Sequence, residues 1–172
     1  MKVALFDIAP TLTMYRDTNK EFATKYVWWF FLIQPAPEPE RMIGLDPAGY
    51  LTSHAKVQGK GETGITPAAM SEYLRCYCCK RTIHATCEDY RAAADIDLEM
   101  DEADDKAGKK IAAPVLALWS SEGAVGKLWD VLKVWRDKSS APVSGRPLAC
   151  GHFLPEEKPR EVLAELQAFL KA

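Results

Sequence analysis

An α/β fold with a parallel sheet is predicted by three features of the sequence. Strand-like apolar runs at Lys2–Ile8, Ile111–Trp119 and Arg146–Cys150 alternate with stretches of helical periodicity, the order that builds parallel strands flanked by helices. The long stretch between the first two runs reads as a helical insertion. Asp7 and His152 fall at the carboxyl ends of the first and third runs, where parallel sheets collect functional groups.

The elements follow in order. Lys2–Ile8 is continuously apolar and ends in an acid, as a parallel strand buried on both faces does, and Pro10 breaks it. Met14–Ile33 is helical and heavily aromatic, until the prolines of Gln34–Pro39 remove donors and end it. A short helix is expected near Glu38–Gly44. Asp46–Thr66, with glycines at 49, 59, 61 and 64, reads as a polar loop holding a solvent-facing His54. Thr66-Pro67 then supplies an N-cap and first-turn proline for a helix to about Cys79. Another helix covers Ile83–Met100, and the acidic Glu99–Asp105 reads as its solvated end.

Ile111–Trp119 carries Pro114 near its start, where a missing N–H is tolerated. An amphipathic helix over Leu128–Lys138 points Val131, Leu132 and Trp135 inward. After the shorter third strand, Val162, Leu163, Leu166, Phe169 and Leu170 give Lys158–Leu170 an apolar helical stripe.

Composition narrows the function classes. The 172 residues hold 48% hydrophobic side chains, enough for one core, and 22 basic against 24 acidic groups leave a net charge of −2. No basic block exists to track a phosphate backbone, so nucleic acid is not an expected partner. The longest apolar run, Val27–Ile33, falls far short of the roughly 20 residues needed to cross a bilayer. No signal-peptide pattern follows Met1, and a cytoplasmic location without membrane contact is expected. Cys76, Cys78, Cys79, Cys87 and Cys150 leave one thiol odd, against a disulfide framework. Their spacing lacks the paired C-x2-C knuckles of a zinc site, so no metal is expected and the thiols are read as buried or half-exposed.

An aspartate that accepts the Nδ1–H of a histidine fixes its tautomer and frees Nε2 to take a proton from water. Asp7 and His152 could form such a pair. Read from spacing alone, a strand-end acid can also cap the next turn and a Gly-His can simply satisfy backbone.

The wording around these residues is more specific. Phe6-Asp7-Ile8-Ala9-Pro10-Thr11, Trp29-Phe30-Phe31-Leu32 with Gln34-Pro35-Ala36-Pro37, Ile83–Ala92 and Cys150–Glu157 together resemble the haloacetate (fluoroacetate) dehalogenases of the α/β-hydrolase superfamily. The resemblance corresponds to the carboxyl-terminal portion of such a protein. It implies a partial α/β-hydrolase fold: three parallel strands with flanking helices and an inserted helical cap. Residues 1–14 and 111–172 would form the partial core and 15–110 the cap.

The resemblance also implies a chemistry. An aspartyl nucleophile displaces halide from a short haloacid, and a histidine-activated water hydrolyses the resulting ester, with no metal or organic cofactor. His152 matches the base and Asp7 the acid that orients it. Trp29 and Tyr90 match donors to the halide, and Trp28 stands where the family has histidine. The nucleophile elbow, G-x-D-x-G or G-x-S-x-G, does not occur in these 172 residues, so the isolated chain is expected to be inactive. A haloacid is the expected substrate. The first strand would form an open sheet edge inviting self-association or a missing amino-terminal half. The alternative expectation is a non-catalytic remnant or interaction module, or one half of a split hydrolase. Val3–Thr13 also looks like the first motif of the haloacid dehalogenase superfamily. Ala9 occupies the place of its second aspartate, which argues against that chemistry.

Overall fold

The structure, a computed structural model, describes residues 1–59 and 64–171. Residues 60–63, inside the predicted glycine-containing loop, and residue 172 lie outside the described residues. The α/β expectation holds: β1 (Val3–Phe6), β2 (Val115–Ser120) and β3 (Val143–Leu148) form a parallel sheet in the order β1-β2-β3. Val3 pairs with Val115, which pairs in turn with Val143, so the three strands start level, and β2 and β3 run two residues beyond β1.

Between β1 and β2 lie α1 (Thr11–Arg16), α2 (Lys20–Lys25), α3 (Val27–Leu32), α4 (Glu38–Leu45), α5 (Pro47–Gln58), α6 (Pro67–Tyr77), α7 (Lys80–Ala94) and α8 (Ile96–Lys106). Between β2 and β3 come α9 (Ala124–Leu128) and α10 (Val131–Asp137), and after β3 come α11 (Leu154–Glu157) and α12 (Pro159–Lys171).

The differences from the expected elements have local causes. The single aromatic helix is three short ones, because Asn19 caps α2 through its side chain, accepting from Phe22 N–H at 2.9 Å, and Tyr26 leaves helical geometry before α3. The loop expected over Asp46–Thr66 contains the helix α5. Asp46 accepts from Gly49 N–H and Pro47 opens the first turn, the same signal recognised at Thr66-Pro67. The acidic run is the helix α8, entered at a sharp backbone break at Asp95. Asp130 restarts the expected Leu128–Lys138 helix as α10 by accepting from Lys133 N–H. β3 begins three residues early, at Val143, and stops at Leu148. It lies so close to β2 that a Cβ on Gly145, which has φ +145°, would sit 1.7 Å from Ala117 O.

Two apolar layers sandwich the sheet. Leu116, Leu118, Leu148 and Leu154 pack with Val162 of α12 on one side, joined by the partly buried Phe6, Leu166 and Phe169. On the other, Ala117 meets Val125, Trp129, Val131 and Trp135, and this layer runs on into Met14, Phe22, Trp28, Trp29 and Leu32 of the helical insertion. β2 is therefore buried on both faces. β1, expected to be so, is an edge strand that is mostly half-buried with Ala4 exposed. Leu163 and Leu170 of α12, expected to face inward, are 54% and 64% exposed.

Candidate active site

β1 delivers Asp7 to the end of the sheet in an uncommon backbone conformation. Its φ is 48°, a left-handed turn that aspartate accepts better than a bulky residue. The turn is pinned on both sides: Asp7 N–H donates to Leu118 O at 2.8 Å, and the Trp135 indole donates to Ile8 O at 2.9 Å. The carboxyl group is almost fully buried. One oxygen accepts from Ser120 N–H at 2.8 Å and the other lies 2.7 Å from His152 Nδ1. An ionised carboxylate can only accept, so Nδ1 carries the proton and Nε2 keeps its lone pair.

The loop between β3 and α11 holds His152 by its backbone. Glu157 accepts from Gly151 N–H at 2.6 Å and from Phe153 N–H at 3.1 Å, while His152 N–H donates to Gln58 O at 3.1 Å. Glycine at 151 is a steric requirement, since a Cβ there would lie 2.8 Å from Glu157 Oε1, 2.9 Å from Gly59 Cα and 3.0 Å from Gln58 O. The imidazole remains 34% exposed, so a small molecule can reach it. A buried acid and an oriented, partly exposed imidazole are the parts of a general base.

Trp28, Trp29 and Tyr90 come together on α3 and α7. Both indoles are buried, and the Trp29 and Tyr90 rings meet edge to face at 6.2 Å. Burial raises the Tyr90 phenol above its ordinary range, opposed by a hydrogen bond with Trp28. An indole N–H can only donate, so in that interaction the phenol oxygen is the acceptor. Thr11, Trp29, Asp89, Tyr90 and Ala93 line a cleft of about 200 Å³.

Several residues that sequence reasoning did not single out join these groups. Ser120, at the end of β2, is fully buried; its hydroxyl donates to Cys150 O and accepts from Gly123 N–H at 2.6 Å, and its backbone N–H donates to Asp7, so one residue ties three strand ends together. A serine closing an apolar strand was the available signal. The Tyr26 ring lies tilted against Trp28 at 4.9 Å, and both burial and the charge of Asp7 raise its pKa, so it links the acid to the aromatic cluster. His54 is not the solvent-facing loop residue expected. It is a half-buried residue of α5, edge-on to Trp28 at 4.8 Å, with its pKa lowered to about 4 first by burial and then by the charge of His152.

Other polar groups stand apart. A cleft of about 580 Å³ is lined by residues of α4 and α7, among them Glu40 and His84. Glu40, His84 and Glu88 converge within 4.8 Å, but Arg91 takes their charge, with Nη1 2.8 Å from Glu40 and 2.5 Å from Glu88. That pairing holds Glu40 down at about 2. Cys76, Cys78 and Cys79 are exposed rather than half-exposed or buried, while Cys87 and Cys150 are buried, and all are free thiols.

No family model matches the chain. A fluoroacetate dehalogenase from a Burkholderia species is 33% identical over 171 residues, which are 99% of this chain and 55% of that protein. The crystal structure of a protein from Nostoc sp PCC 7120 assigned as an α/β hydrolase is 53% identical and superposes with a TM-score of 0.94, over 98% of this chain and 57% of that one. A Salmonella enterica protein assigned as an acyltransferase is 49% identical, with a TM-score of 0.93, over 98% and 55%. The chain is a portion of an α/β-hydrolase fold. It spans little more than half the length of these relatives, consistent with the carboxyl-terminal portion of a fluoroacetate dehalogenase. In this hydrolase fold Asp7, Ser120 and Cys150 lie at or just beyond the carboxyl ends of the three parallel strands, where such sheets place their chemistry.

Proposed function

We propose that the chain supplies the water-activating part of a hydrolase that cleaves the carbon–halogen bond of a short haloacid. Residues 1–14 and 111–172 are the core portion in this reading and 15–110 the cap. The observation that carries it is the 2.7 Å contact between Asp7, after β1, and His152 Nδ1, after β3, with a third of the imidazole side chain exposed. The similarity to a fluoroacetate dehalogenase supports the substrate class.

The chemistry divides in two. A carboxylate nucleophile outside these 172 residues displaces halide and becomes an ester of the hydroxyacid. His152 Nε2 then takes a proton from water as the water oxygen adds to the ester carbonyl, and Asp7 stabilises the imidazolium. Collapse breaks the acyl C–O bond, the proton passes to the departing alkoxide, and the hydroxyacid leaves with the carboxylate restored. Trp29 and Tyr90 donate to the departing halide, where charge grows most, and Trp28 holds Tyr90 in place.

Joining the chain to the nucleophile-bearing part of a hydrolase across the β1 edge tests this. The assembled protein releases fluoride from fluoroacetate, the chain alone does not, and His152→Ala stops the assembled protein after one halide per site. Turnover by the pure chain would overturn the division of labour. A folded assembly without halide release, or one indifferent to His152→Ala, would favour a non-catalytic module.

A further inference from the structure

The last turns of α5 bring a second set of polar groups to His152. His54 and Gln58 are four residues apart and so share one face of that helix. Gln58 O already accepts from His152 N–H at 3.1 Å, fixing this helix end against the histidine loop. The Gln58 side-chain amide nitrogen is buried with no hydrogen-bond partner among the described residues. Such an orphaned donor is destabilising unless something accepts from it. The imidazole of His54 makes ring contacts with Trp28 at 4.8 Å and Tyr50 at 6.2 Å. Its ring nitrogens make no hydrogen bond among the described residues either.

We propose that His54 and Gln58 form a neutral donor pair that binds the anionic end of the substrate beside His152, the acceptor being the carboxylate or the leaving halide of a short haloacid. The inference rests on the hydrolase reading of His152. His54 serves through its ring N–H and Gln58 through its amide, and neither adds a positive charge next to a histidine that must itself become cationic. Burial keeps the His54 ring uncharged at neutral pH. A lysine or arginine here would bind an anion more strongly but would oppose formation of the imidazolium on which water activation depends. Two neutral donors recognise the anion and leave the base free to charge.

The chain labelled with 15N in its histidine rings and glutamine amides is titrated with sodium fluoroacetate, sodium acetate and sodium chloride. Fluoroacetate is expected to shift the ring nitrogens of His54 and His152 and the Gln58 amide together. Acetate reproducing the shifts identifies the carboxylate as the acceptor, and chloride alone reproducing them identifies the halide. His54→Phe keeps the ring contacts and loses the donor, and is expected to weaken fluoroacetate binding about tenfold, whereas His54→Asn stays within about threefold of the unsubstituted chain. Fluoroacetate that shifts His152 while leaving His54 and Gln58 unmoved would overturn the donor pair and leave the hydrolase reading standing. Ligand that moves none of them would overturn both.

Discussion

Asp7 and His152 meet through directed hydrogen bonds, whereas Trp28, Trp29 and Tyr90 meet mainly through ring packing. The Asp7 N–H and both carboxyl oxygens have partners on other elements, namely Leu118 O, Ser120 N–H and His152 Nδ1, and one residue on Ile8 O accepts from the Trp135 indole. The aromatic groups gain their positions from Phe22, whose ring touches Tyr26, Trp29, Phe30 and Trp129 at 4.9–5.9 Å. Hydrogen bonds fix direction to fractions of an ångström, and ring packing fixes volume. The first region is therefore built to orient a proton and the second to shape a space, and substitutions should separate the two.

The largest effect is expected from Asp7→Asn. In the assembled hydrolase the amide still accepts from Ser120 N–H, but it turns a donor toward Nδ1 and forces the wrong tautomer. Ester hydrolysis should fall on the order of a thousandfold or more, by the logic of an acid–histidine pair that loses its acid. Single-turnover kinetics would show halide release in the first cycle and accumulation of the ester. Trp28→Phe, by contrast, should slow halide release less than about tenfold, because it removes one bond to a positioning group. Equal losses from both would break the distinction.

Stability should show the reverse order. Phe22→Ala opens a cavity at the centre of the ring cluster and should cost about 3–5 kcal/mol in urea denaturation. Gly151→Ala drives a methyl against Glu157 and the α5 terminus and should cost about 1–3 kcal/mol. Its accompanying loss of hydrolysis should exceed that of Phe22→Ala among molecules that remain folded. A Gly151→Ala protein with unshifted His152 resonances would show the loop to be more forgiving than its contacts imply.

The sequence made the first region legible and much of the second illegible for one physical reason. Strand ends advertise themselves: an apolar run stops, a polar residue follows, and parallel topology brings such ends together. That logic, with the resemblance in wording, pointed to Asp7 and His152, and the same reading of Trp119-Ser120 would have added Ser120. Helical insertions offer no equivalent register. Asn19, through its side-chain cap, and Asp95, at a backbone break without one, divide stretches that look continuous. His54 was misplaced because glycines at 59, 61 and 64 made the whole segment resemble a loop, although Asp46-Pro47 carried the helix-start signal. Which face of α5 turns toward His152 depends on tertiary packing, which no local pattern encodes.

His54 also gives the smallest and most selective test of the aromatic side. Its folded pKa is lowered to about 4 from the ordinary histidine value of 6.5. Between those values the unfolded chain binds a proton that the folded chain refuses, so this residue makes stability fall as pH drops from about 6.5 toward 4 and contributes no slope above that window. His54→Phe should remove that part of the slope. Groups shared by the two proteins largely cancel in the difference. The urea midpoint of the unsubstituted protein should therefore fall relative to that of His54→Phe as pH drops from 7 to 4, whereas parallel curves would mean that the His54 ring is solvated and that the aromatic region does not exclude charge.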